Sequence, residues 1–380
     1  MKKSQTLSLL FILSLFSCQK NKDAEFRKQI IGEWKFIEKV DSTQRNPENI
    51  LPEPPGMGYK LLGYQFYENG NCENKLGYIS IDESNGYDNR KINYLGNDTK
   101  YKIDKGSLKI FNLETKKWVD QKIISIVKDT LILQVKDSMY NKYAKTNYLI
   151  DTNEQYDKII VSSSGCYGAC PVANICVNKN GNVLYQGLNF TTNNGLFSSK
   201  ISEREYLQIE HRFKKASITK LNTHYAASHT DDQTISVTFI RNNKIYKTIL
   251  DYGSESPAEF QWAYVPVNFL DQKLKLQPHK GNASNISNRI FDFETVTEIC
   301  SLIQSESFFL LTELDKGKET TTEFKPKYTS EYWENENTLT VHTDGRYYSF
   351  PDKNSIKTID LGYNFLERNS LYKNFKKKTE

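Results

Sequence analysis

Apolar residues in this chain come in short runs, a few residues long, broken at near-regular intervals by turn-forming residues. Tyr64 to Tyr67 lead into Glu68-Asn69-Gly70-Asn71, and Tyr101 to Ile103 into Asp104-Lys105-Gly106. Leu76 to Ile81, Leu108 to Phe111, Ile123 to Val127, Leu131 to Val135 and Tyr143 to Ile150 continue the series. Short strands at such spacing predict a meander that closes as a barrel. Beyond residue 155 the pattern changes. Tyr156 to Val161 and Val172 to Val177 read as strands, and Val183 to Gln186 returns across Asn180-Gly181, whose tolerance of positive φ suits a tight hairpin. Ser202 and Glu205 form a capping box, and Tyr206, Ile209 and Phe213 share one face of the helix that it starts. Ile235 to Ile240 and Ile245 to Leu250 are two more strands, and a second helix runs from Pro257 to about Leu270. Residues 276–289 are polar and read as a linker. Phe291 to Leu302 is helical in pattern, and Leu339 to His342 pairs with Tyr347 to Phe350 around Thr343-Asp344-Gly345-Arg346. The expected fold is mostly β with α+β: an antiparallel barrel over 27–150, an α+β domain over 155–275, and a small α+β segment over 290–380. That last segment is either a domain or an extension packed on the second.

The start of the chain carries an address. Lys2 and Lys3 precede an apolar stretch from Leu7 to Phe16, shorter than the roughly 20 residues of a membrane span and built like a signal peptide. Leu15-Phe16-Ser17-Cys18 resembles the lipobox of bacterial lipoproteins, with Phe16 where that motif usually has a small residue. The resemblance implies that residues 1–17 are removed, that Cys18 is acylated (palmitate included), and that residues 18–26 tether the protein to a membrane. More than one acyl chain makes such anchoring stable. Gln19-Lys20 before an acidic residue resembles surface-export signals of some Gram-negative lipoproteins. The expected location is the outer membrane, on its periplasmic or its surface face.

Two further resemblances concern the folded part. Gly32-x-Trp34, Phe66-Tyr67-x-x-Gly70, Tyr101-x-Ile103 and Asp129-Thr130-Leu131-Ile132-Leu133 together resemble the lipocalin-like domains of bacterial lipoproteins over residues 27–150. In such barrels the tryptophan packs across the closed end, and the mouth is a common place for a small ligand. Trp34, Tyr64, Phe66 and Trp118 are the candidates to line or close it, against plain core packing for each. Leu51-Pro52-Glu53-Pro54-Pro55-Gly56 is a loop near the expected mouth. Gly165-Cys166-Tyr167-Gly168-x-Cys170-Pro171, followed by a hairpin and a late Thr230-Asp231, resembles a domain family of unknown function found in exported bacterial lipoproteins, over residues 155–275. That family brings no activity with it.

Composition and candidate chemistry narrow the function classes. Lys and Arg number 51 against 46 Asp and Glu, a net charge of +5 spread along the chain, which gives no electrostatic support for nucleic-acid binding. Of six cysteines, the lipid takes Cys18, leaving Cys72, Cys166, Cys170, Cys176 and Cys300. The odd number leaves at least one thiol unpaired or bonded to another chain. Cys166 and Cys170 flank a glycine-containing turn and admit three readings: a disulfide staple, a thiol redox site, or a metal site with Cys176 as third ligand. The spacing is not the Cys-x-x-Cys of thioredoxin-like proteins. His224 and His229 flank Asp231 and Asp232, the right ligand types for zinc without a metal-site spacing, and Asp231 suits a turn. No nucleophile elbow, phosphate loop, His-Glu-x-x-His or dinucleotide fingerprint occurs. The expectation is a non-enzymatic envelope lipoprotein without cofactor or metal. It binds a small apolar ligand or another envelope protein and touches the membrane through Cys18. The alternative is a thiol redox or metal-binding protein centred on Cys166 and Cys170.

Overall fold

The computed structural model describes residues 22–41, 58–84, 86, 90–282, 292–334, 337–352 and 355–378. Cys18 and the proline-rich loop at 51–56 lie outside them. The chain divides into two compact units, residues 1–81 with 93–149, and residues 82–92 with 150–380.

The first unit is the barrel. A helix over residues 22–29, α1, precedes β1 (Gly32–Asp41), β2 (Gly63–Phe66), β3 (Asn71–Asp82), β4 (Lys91–Asp104), β5 (Ser107–Asn112), β6 (Lys117–Val127), β7 (Thr130–Lys136) and β8 (Met139–Thr146). Each strand lies beside the next, and β8 returns to β1, so the sheet closes on itself. Closure leaves no free edge to pair with another chain. Alternation along the strands sends Trp34, Phe36, Phe66, Leu108, Ile110, Ile123, Leu131, Leu133 and Tyr143 into one buried cluster. The eight-stranded closed barrel is consistent with a lipocalin-like fold. Part of the segment expected as a tether is folded. Phe26 and Ile30 are buried in the barrel cluster, and the Asp23 carboxylate accepts the backbone N–H groups of Lys105 and Gly106, both at 2.8 Å.

The second unit is layered. Its first sheet uses β9 (Lys158–Ser163), β10 (Val172–Asn178), β11 (Asn182–Asn189), β12 (Gly195–Lys200), β13 (His224–Ala226), β14 (Thr234–Arg241), β15 (Lys244–Tyr252) and β16 (Gln277–Pro278), in the order β13-β15-β14-β9-β10-β11-β12-β16. The Asn180-Gly181 hairpin joins β10 to β11. Between strands lie α2 (Glu203–Lys215), with both halves of the Ser202/Glu205 capping box formed, and α3 (Ala258–Asn268). The central strands β9, β10 and β11 are buried almost throughout, as strands covered on both faces must be. Ile159, Val161, Ile175, Val177, Val183 and Tyr185 face the cluster built with α2 and α3. Ile160, Cys176, Leu184 and Ile240 belong to a different cluster, shared with residues beyond 290.

That second cluster shows that 290–380 completes the unit rather than standing apart. α4 (Gln304–Leu314) is buried along nearly its whole length, the signature of a helix enclosed on all sides. One side packs on β9, β10 and β14. It also shares a core with a second sheet made of β17 (Asp292–Glu294), β18 (Glu298–Ser301), β19 (Lys318–Thr320), β20 (Tyr328–Glu334), β21 (Asn337–Thr343), β22 (Tyr347–Asp352), β23 (Ser355–Asp360) and β24 (Lys376–Lys377). The helix expected over 291–302 is instead the β17–β18 hairpin. Thr295 Oγ1 accepts the N–H groups of Thr297 and Glu298 and closes the turn, and β-branched Thr295, Val296 and Thr297 suit a turn and strand better than a helix. The helix begins one element later. The stretch read as a linker also contributes structure. β16 pairs with β12, and His279 N–H donates to the Leu196 carbonyl at 2.9 Å.

Candidate functional site

Of the four aromatic candidates, Trp34 and Phe66 are fully buried. The Trp34 indole N–H donates to the Ile30 carbonyl at 2.6 Å, so the ring is tied to the chain that enters the barrel. Tyr64 is partly buried and stacks on Phe66 at 5.6 Å, with Tyr143 at 5.9 Å. These three rings form one packed group. Asn141, on the same inner wall, is buried. Its side-chain N–H donates to the Tyr143 hydroxyl at 3.4 Å, and its Oδ1 has no partner among the described residues.

Trp118 does not join them. Its neighbour Val119 is paired with the inward Ile110, so Trp118 points outward, opposite Phe111. The two rings meet edge to face at 5.5 Å, and the Lys102 ammonium lies 4.4 Å from the Trp118 ring centre, an attraction that orients the indole. Trp118 is 41 % exposed and Tyr67 42 %. Together with Phe111 and Leu113 they line a groove of about 760 Å³. Asn69, Asn71, Asp98 and Lys100 supply its polar rim. The arrangement offers exposed aromatic faces beside amide, carboxylate and ammonium groups, which suits a ligand with an apolar body and polar substituents. Phe111, unlike Trp118, is not among the candidates named from the sequence. The signal was present: a short turn between β5 and β6 makes Phe111 and Trp118 direct cross-strand partners.

Cys166 and Cys170 form a disulfide, with their Cα atoms 5.7 Å apart. The bridge closes the β9–β10 connection. Around it Tyr167 N–H donates to the Asp231 carbonyl at 3.0 Å, and Gln233 Nε2 donates to the carbonyls of Ser164 and Pro171 at 2.8 and 2.9 Å. Tyr167 at the tip is 88 % exposed. Asp231 has φ +73°, as a turn residue. Cys72, Cys176 and Cys300 are unpaired and buried. Burial pushes the Cys176 and Cys300 thiols up to about 11 and the Cys72 thiol higher still, so none is a ready thiolate. Cys176 lies in the middle of β10, in the cluster shared with α4. His229 pairs with Asp232 at 3.1 Å, while His224 is exposed on β13. Among the described residues no three His, Cys, Asp or Glu side chains converge as a metal site.

A closed barrel followed by a two-sheet α+β unit with a stapled turn is thus the class of protein that the geometry defines. Residues 157–271 match a domain family described as a domain of unknown function, DUF6438. The match runs from β9 past the end of α3 and contains the disulfide turn. No curated protein and no solved structure matches the chain.

Proposed function

We propose that this chain is a lipid-anchored protein of the bacterial cell envelope, without a catalytic role, whose barrel holds a small ligand in the groove lined by Trp118. The observation that carries the reading is the outward aromatic cluster of Trp118, Phe111 and Tyr67 around a cavity of about 760 Å³. Exposed aromatic rings grouped around a concavity are costly to leave in water and mark contact sites. The anchor rests on the lipobox-like Leu15-Phe16-Ser17-Cys18. The ligand is small, with one apolar face for the rings and polar groups for the rim.

Titration of the mature chain with the apolar fluorophore N-phenylnaphthylamine tests the groove. Saturable binding is expected, weakened roughly fivefold or more in Trp118→Ala, on the order of one aromatic contact. Unchanged affinity in that variant would move the ligand out of the groove. Labelled palmitate should enter the wild-type chain in cells and not Cys18→Ser.

A further inference from the structure

A separate cleft in the second unit has a different chemistry. Lys158, Lys200, Lys275 and Lys316 surround a cavity of about 650 Å³, within the size range of small-molecule sites. The fold brings them together from four places: Lys158 opens β9, Lys200 ends β12, Lys275 precedes β16, and Lys316 follows α4. Ser199 Oγ donates to the Lys275 carbonyl at 3.0 Å and fixes that segment against β12. Part of the floor is apolar. Cys176 and Leu184 are cross-strand partners on β10 and β11, and both line the cavity.

The nearby carboxylates are engaged. Glu313 takes the buried Lys158 ammonium and reaches Lys316 at 3.7 Å. Asp315 pairs with His279 at 2.9 Å. Lys200 and Lys275 have no carboxylate partner among the described residues. Desolvation, and then the charge of Lys158, lower the Lys316 ammonium from the usual lysine range, while Glu313 acts in the opposite direction. Four lysines against the single Asp315 carboxylate leave the lining net positive, and a net-positive cleft with partly apolar walls concentrates anions.

We propose that this cleft binds a small amphipathic anion, its anionic head among Lys200, Lys275 and Lys316 and its short apolar body over Cys176 and Leu184. The site is independent of the groove on the barrel, and no bond is made or broken in it.

Calorimetric titration of the mature chain at low salt tests it, with hexyl phosphate and hexanoate as probes and hexanol as their neutral counterpart. Saturable binding of at least one anion is expected, tighter than that of hexanol and weaker as salt is raised. The relative strength of the two probes tells a phosphate head from a carboxylate. The double variant Lys200→Met/Lys275→Met keeps both apolar stems and should bind at least tenfold more weakly, with an unchanged circular dichroism spectrum. Trp118→Ala should bind these anions like the wild type, so failure of the barrel reading and failure of this one are read separately. Absence of binding by both anions, equal binding of hexanol, unchanged affinity in the double variant, or loss of binding in Trp118→Ala would each overturn the proposal.

Discussion

Replacing both cysteines of the stapled turn, Cys166→Ser with Cys170→Ser, separates a structural bridge from a reactive one. The bridge joins residues four apart in sequence. Cross-linking so small a loop removes little freedom from the unfolded chain, about 2 kcal/mol at 25 °C by the chain-entropy relation. The native turn has other supports: the Tyr167 N–H to the Asp231 carbonyl, Gln233 to Ser164 and Pro171, and Ser164 N–H to the Thr234 carbonyl at 2.9 Å. The double variant should therefore fold, and lose about 2 kcal/mol of stability. With a denaturant slope of roughly 2 kcal/mol/M, the urea midpoint of the second unit should fall by about 1 M. Circular dichroism would follow the transition, and reduced wild type should superimpose on the variant. A variant that does not fold would refute the reasoning, because the turn would then depend on the bridge. An unshifted midpoint would refute it from the other side. A bridge opened by mild reductant, with a thiol-exchange activity that the variant loses, would make the turn a redox centre.

Other perturbations probe other layers. Phe309→Ala, in the middle of α4, should cost about 3–5 kcal/mol, and both sheets of the second unit should unfold together in hydrogen exchange, because the helix belongs to the core of each. Burial raises the Asp271 carboxyl from 3.8 to about 6, against hydrogen bonds that lower it. The folded state therefore holds this proton more tightly than the unfolded state. Its contribution is full below about pH 4 and is lost as pH rises to about 6, a change of about 3 kcal/mol. Asp271→Asn should remove that slope and be the more stable protein at pH 7, which urea unfolding across this pH range would measure. Asp23→Ala removes the carboxylate that accepts the Lys105 and Gly106 N–H groups, and should destabilise the barrel by about 1–3 kcal/mol in thermal unfolding. An unchanged melting temperature would mean that α1 is not anchored there.

Features that rest on local pattern are legible in the amino-acid order. Seven of the eight barrel strands overlap short apolar runs between turn residues, and the Asn180-Gly181 hairpin and the Ser202/Glu205 cap follow from side chains that act within a few positions of themselves. The disulfide was one of three open readings of Cys166 and Cys170, and close spacing in a turn made it legible. Other features depend on partners distant in sequence and emerge with the fold. The continuous burial of β9 to β11 implied cover on both faces, but not that α4, more than a hundred residues later, supplies one of them. The 291–302 segment has an apolar spacing that fits a helix, and the Thr295 turn with its sheet partners made it a hairpin instead. Trp118 was visible as a large exposed-or-core ring. Its outward direction depends on register, because a shift of one residue exchanges the two faces of a strand. The lysine cleft was invisible for the same reason. Lys158, Lys200, Lys275 and Lys316 are unremarkable in sequence, and only the tertiary placement of β9, β12, the segment before β16 and the end of α4 brings their charges to one cavity.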